Sequence, residues 1–234
     1  NPNRRERMPV LTSGQQERKS KQRKIRNSEY YDMEGTFDRL YAESKKDETF
    51  NHLMEIIESE ENIKLAYRTI KKNTGSDSSG VDKRTIADLA KLSEEEYVRL
   101  IRKQFSNYHP RPVRRVDIPK PNGKTRPLGI PTIVDRIVQQ CILQVMEPIC
   151  EAKFSENSNG FRPNRSAETA IAQCMRLIQV QHLYHVVDLD IKGFFDNISH
   201  TKLIRQIWAL GIRDKKLLCI IKEMLKAPVV LPNG

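Results

Sequence analysis

The 234-residue chain has no Cys-x-x-Cys pair and no zinc-type cysteine spacing, and it exceeds the size of a disulfide scaffold. Its four cysteines, Cys141, Cys150, Cys174 and Cys219, therefore read as reduced core thiols of a cytosolic protein. There is no apolar run of about 18 residues and no signal-type hydrophobic segment, so neither a membrane partner nor secretion is supported. No internal repeat or low-complexity tract occurs, which argues against a repeat array. An initiator methionine is also lacking, and Leu231-Pro232-Asn233-Gly234 reads as a turn; a fragment is the expectation.

What is present can build a core. An apolar content of 38% in a chain of this length supports one large globular domain or two small ones. The net charge of +11 is unevenly spread. Residues 1–26 carry nine basic against two acidic groups, residues 27–100 eleven against seventeen, and residues 101–131 eight against one. Two basic blocks thus flank an acidic helical region. Such blocks suit a polyanion, because each neutralised phosphate releases counterions; a solvated surface is the plainer alternative.

Residues 1–28 have little apolar periodicity and read as a basic arm that orders on a partner. Two or three helices are predicted over 35–72, then a polar loop, Asn73 to Gly80. Ser93 with Glu96 forms a capping box that opens a helix to about Phe105. Residues 111–131 read as a hairpin around Pro121-Asn122-Gly123, with basic groups on its strands and tip. Thr132 and Asp135 cap a helix expected to run to Pro148, and Ser166 opens another reaching roughly Val180. Leu183 to Ile191 has strand composition, followed by helices at 199–210, closed by Gly211, and 214–226.

The strand candidate is unusual because it carries acids. Alternation places Asp188 and Asp190 on one face and Val187, Leu189 and Ile191 on the other. Carboxylates at a strand end can hold a hard divalent cation such as Mg²⁺. The structural alternatives are that Asp188 pairs with a basic side chain and that Asp196 or Asn197 caps the next helix. An acidic pair alone does not identify phosphoryl transfer. Lys120 and Arg126, six residues apart across the hairpin turn, reach the same side and could clamp a triphosphate; an ordinary solvated hairpin is the alternative.

Three segments, IPKPNGKTRPLGIPTIVDRIVQ (118–139), SNGFRPNRSAETAI (158–171) and VVDLDIKGFFDNISH (186–200), together resemble the reverse transcriptases encoded by group II introns, the intron maturases. The loop GSDSSGVD (75–82) is similar to that family's N-terminal extension. The resemblance implies an α/β fold of right-hand polymerase type: mostly helical fingers with a β-hairpin, leading into the first part of a palm. Its implied divisions are a basic arm at 1–28, an N-terminal extension and helical fingers at 29–110, fingers with the fingertip hairpin at 111–180, and the start of the palm at 181–234.

The same resemblance implies RNA-directed DNA polymerase activity with a maturase role in splicing. Asp190 would bind both catalytic Mg²⁺ ions, and the Ile191 carbonyl would help hold one. Lys120 and Arg126 would contact the triphosphate, and Phe195 would exclude a ribose 2′-hydroxyl. Template or intron RNA would meet Gly160, Phe161, Arg162, Pro163, Arg114, Arg115, Arg23 and Lys24; for Arg162 a structural ion pair is the alternative. Asp135 and Arg136 read as architectural, and the loop 73–80 as closing over the template. Implied partners are group II intron RNA, an RNA template, a DNA primer and deoxynucleoside triphosphates, with a homodimer allowed. The implied location is a bacterial cytoplasmic ribonucleoprotein, or an organelle in a eukaryote.

One departure matters: no adjacent Asp-Asp pair occurs, so the family's second carboxylate motif is absent and these residues alone are expected to be inactive. Two alternatives are an RNA-binding splicing module without polymerase activity and a reverse transcriptase of retron or diversity-generating type.

Overall fold

The computed structural model describes residues 27–119, 123 and 125–231. Residues 1–26 of the basic arm, with Arg23 and Lys24, then Lys120, Pro121, Asn122 and Lys124 of the hairpin turn, and residues 232–234 lie outside the described residues.

The helices follow the apolar spacing and the caps. The order is α1 (Asn27–Tyr30), α2 (Glu34–Lys45), α3 (Leu53–Ile57), α4 (Glu60–Lys72), α5 (Ile86–Leu89), α6 (Glu94–Ser106), then β1 (Val113–Pro119), β2 (Thr125–Ile130), α7 (Ile133–Glu151), α8 (Ala167–Gln179), α9 (His200–Ala209), α10 (Lys215–Met224) and β3 (Val229–Val230). Each predicted N-cap accepts a backbone N–H from its own first turn: Ser93 from Glu96 at 3.2 Å, Thr132 from Asp135 at 3.2 Å, and Ser166 from Thr169 at 3.3 Å. Ser199 and Asp214 do the same for Lys202 and Leu217. These bonds satisfy donors that a helix start leaves orphaned.

Helix α7 is the axis of the core. Ile133, Ile137, Val138, Cys141, Val145 and Ile149 are fully buried along it, against α2, α3, α4 and α6. It runs past Pro148, where the sequence predicted its end. A proline in a last turn forfeits one hydrogen bond, and here Ile149 is buried beyond it while the Ser44 hydroxyl donates to the Ile149 carbonyl at 2.8 Å.

A buried polar junction ties α4 to α7. The Asn62 amide donates to the carbonyls of Ile57 and Cys141, both at 3.0 Å, and its oxygen accepts from Gln144 Nε2 at 2.7 Å. Gln144 also donates to the Asn62 carbonyl at 3.1 Å. At the other end of the core, Gly211 has φ +98, and its carbonyl accepts from Phe50 N at 2.8 Å. A Cβ at Gly211 would stand 2.8 Å from the Glu48 carbonyl oxygen, so glycine here both closes α9 and lets two backbones meet.

The sheet has the order β2-β1-β3. The hairpin pairs antiparallel, from Arg114 opposite Ile130 to Pro119 opposite Thr125, as its turn signal predicted. The parallel partner β3, Val113 opposite Val229, was not anticipated; two residues carry too little pattern.

Two expectations are corrected. Residues 183–191 form no strand, and Val186, Val187, Leu189 and Ile191 are all exposed, Leu189 to 87%. A strand exists through hydrogen bonds to a neighbour, and among the described residues none lies beside this segment. Nor are all four cysteines core thiols: Cys141 is buried and Cys150 half-buried, but Cys174 and Cys219 are exposed, and all four are free. Cys174 sits on α8, none of whose residues is buried.

Candidate functional site

The acidic segment is open on both faces. Asp188, Asp190 and Ile191 are exposed, and Phe195 is 79% exposed, its ring edge-on to Phe194 at 5.5 Å between centroids. A 3₁₀ turn over Phe195–Asn197 follows the acids. Gly193 at φ +61 starts it, and the Asn197 side-chain amide donates to the Gly193 carbonyl at 2.8 Å. Phe195 is thus displayed on a locked turn rather than packed inward.

This segment does not accommodate a divalent metal by itself. Among the described residues, no group of three His, Cys, Asp or Glu side chains converges as a metal site would require. Asp190 supplies hard oxygens of the right kind, but the described residues bring it no further ligands. Nor does any hydrogen bond or ion pair among the described residues join the segment to the hairpin.

On the hairpin, Arg126 pairs in register with Ile118 and is exposed. Arg115 lies 3.5 Å from Asp117. Arg114 turns away from solvent, and its Nε and Nη2 donate to the Ser79 carbonyl at 3.0 and 2.8 Å. From α7, Arg136 Nη1 donates to the Gly75 carbonyl at 2.7 Å and Nη2 to that of Ser78. Two guanidinium groups therefore strap the 73–80 loop to the hairpin and to α7. No pattern in the sequence announces this, since the acceptors are backbone carbonyls dozens of residues away.

A buried acid opens the helix beside the strap. Asp135 accepts from the Thr132 hydroxyl at 2.6 Å, the Tyr108 hydroxyl at 3.0 Å and the Arg111 N–H at 3.3 Å. Burial, and then the Asp135 carboxylate, hold the Tyr108 phenol above its ordinary pKa, so it stays a donor. Gly80 lies directly on this helix start, where a Cβ would come within 2.7 Å of Thr132 Cα and 2.8 Å of Thr132 N. Gly80→Ala is accordingly expected to destabilise the protein by about 1–3 kcal/mol and to release the loop. Thermal melting with limited proteolysis at 75–80 checks this, and an unchanged melt with an intact loop would count against it.

The segment around Gly160 to Pro163 forms a clamped loop between α7 and α8. Arg162 forks onto Glu151, with Nε at 2.9 Å from Oε2 and Nη2 at 2.6 Å from Oε1. Its Nη1 donates to the carbonyls of Ser155 at 2.5 Å and Ser158 at 2.7 Å. The Arg162 hydrogen bonds hold the Glu151 carboxyl below its usual pKa. Glu151, eleven residues upstream, was missed because nothing in the spacing links a helix end to a loop. Gly160 has open space around it, Phe161 projects fully into solvent, and Pro163 lines a groove against α7.

Among the described residues no helix is long and apolar enough to cross a membrane. The chain is 37% identical over 184 residues to the group II intron-encoded protein LtrA of Lactococcus lactis subsp. cremoris, covering 77% of this chain and 30% of that protein. It is 35% identical over 186 residues to protein YkfC of Escherichia coli K12, covering 75% and 47% respectively. With nuclear intron maturase 2, mitochondrial, of Arabidopsis thaliana it shares 36% identity over 96 residues, 41% of this chain and 13% of that protein. The chain thus spans less than half the length of these curated relatives. The family model for reverse transcriptase (RNA-dependent DNA polymerase) matches residues 118–234, taking in the end of β1, β2, α7, the Arg162 loop and the acidic segment, and the chain belongs to that family.

Proposed function

We propose that the whole protein is an RNA-directed DNA polymerase of a group II intron that also binds its intron RNA as a splicing maturase. The observation that carries this is the reverse transcriptase match across 118–234, which coincides with an exposed acid-and-aromatic segment of the kind a globular core would otherwise bury. The names of the Lactococcus and Arabidopsis relatives support the intron assignment.

In this reading residues 29–110 and 111–180 are the fingers, 181–234 begins the palm, and 1–28 is an RNA-binding arm. Arg126 and Lys120 neutralise the triphosphate, and Asp190 supplies carboxylate oxygen at the reacting centre. Mg²⁺ chemistry would require ligands beyond those the described residues bring together. Phe195 lies under the incoming sugar, where its ring offers a 2′-hydroxyl no hydrogen bond and no room. The substrates are an RNA template, a DNA primer and deoxynucleoside triphosphates.

The test is primer extension on an RNA template by the whole protein, with deoxy- and ribonucleoside triphosphates in competition. Wild type is expected to make DNA, and Phe195→Val to incorporate ribonucleotides about tenfold more readily. RNA binding and splicing assistance without any extension would replace the polymerase reading with a purely maturase one. Unchanged sugar discrimination in Phe195→Val would remove the role given to that ring.

A further inference from the structure

A cleft of about 400 Å³ lies beside the point where the chain enters the fold, lined by Asp32, Met33 and Arg39 before and along α2, Glu55 and Ile56 of α3, and Glu61 of α4. Met33 is buried and Ile56 half-buried, whereas Asp32, Glu55 and Glu61 are exposed. The cleft is thus apolar within and acidic around. Neither Asp32 nor Glu61 has an ion-pair partner within 4 Å among the described residues, Glu55 meets only His52 at 3.8 Å, and Arg39 lies 3.9 Å from Glu43. In a chain of net charge +11, this surface keeps an excess of negative charge.

The chain itself carries the complement. Residues 19–26, KSKQRKIR, hold five cations, no acid and one aliphatic side chain, Ile25, and they run directly into α1 at Asn27. Asp32 stands six residues after Arg26, and eight extended residues reach up to about 27 Å, so the cleft is within range. We propose that the cleft is a resting dock for residues 19–26, with Ile25 against Met33 and Ile56 and the flanking cations on Asp32, Glu55 and Glu61, and that bound RNA competes for those cations. Each exposed ion pair is weak, but the tether makes the contact intramolecular and raises its effective concentration. Carboxylates and phosphates draw on the same charges, so dock and RNA exclude each other. The competition rests on the RNA-binding reading of the arm given above; the dock does not.

Limited trypsin digestion of this chain without RNA tests the dock, because cleavage after Arg23, Lys24 or Arg26 tracks the population of released arm. Asp32→Asn with Glu61→Gln is expected to speed that cleavage about fivefold, while Glu48→Gln with Glu95→Gln, an equal change of charge outside the cleft, leaves it at the wild-type rate. All four side chains are exposed, so equal melting temperatures should accompany these results. Fluorescence anisotropy with a labelled single-stranded 12-nucleotide RNA of mixed sequence tests the competition: the cleft pair should bind about threefold tighter than the control pair. Equal cleavage in wild type and both pairs would overturn the dock, and equal acceleration in both pairs would reduce it to overall charge, which overturns it as well. Faster cleavage in the cleft pair alone, with RNA affinity equal to that of the control pair, would support the dock and overturn the competition. No RNA binding by any of the three at low salt would fail the RNA-binding reading instead.

Discussion

Replacing Asn62 with leucine is expected to destabilise the protein by about 3 kcal/mol, lowering its melting temperature by roughly 6–12 °C. Leucine has the branching of asparagine but is larger, so a cavity is not the cause and some crowding adds to the loss. The carbonyls of Ile57 and Cys141 lose their donor, and Gln144 Nε2 loses its 2.7 Å acceptor, all in a region closed to water. Each stranded group costs about 1–3 kcal/mol, partly offset by the gain from burying leucine. Asn62→Leu combined with Gln144→Leu should recover part of the loss, because two partners leave together. A single variant melting within about 2 °C of wild type would show that the junction between α4 and α7 is replaceable.

Asp190→Asn is expected to reduce DNA synthesis by the whole protein at least about a hundredfold without moving its melting temperature. Asparagine keeps the shape of the side chain and removes its charge. Asp190 is exposed and makes no hydrogen bond or ion pair among the described residues, so nothing in the fold depends on the carboxylate. Stability and activity are therefore separable at this position, which is uncommon for an acid in an apolar stretch. Asp188→Asn should do less, since the proposed site takes its carboxylate oxygen from Asp190. Primer-extension rates beside melting curves decide the matter; full activity in Asp190→Asn, or an equal loss in Asp188→Asn, would require another residue to take the role.

Local chemistry made much of this molecule readable. Ser93, Thr132, Ser166, Ser199 and Asp214 each cap the helix they were expected to open, because a cap is a contact within four residues. The hairpin was legible for the same reason, its turn residues standing between two short extended runs. Pro148 misled because its effect depends on what lies beyond it, and Ile149 is held by a buried contact to Ser44 on another helix. The 183–191 segment misled more deeply. Strand composition is a statement about burial and pairing, and neither can be satisfied locally.

In the candidate site the division is the same. The acids, the paired phenylalanines and the basic hairpin could be picked out from residue type and order. That Arg114 and Arg136 grip backbone carbonyls of the 73–80 loop, and that Arg162 is spent on Glu151, could not be. The sequence by itself determined the helices, their caps, the hairpin and the family's motif order, since each depends on neighbours in the chain. Only the tertiary structure decided which charged groups brace the scaffold and which stay open to a partner, because an arginine's choice between a carbonyl and a phosphate depends on what folding brings within about 3 Å.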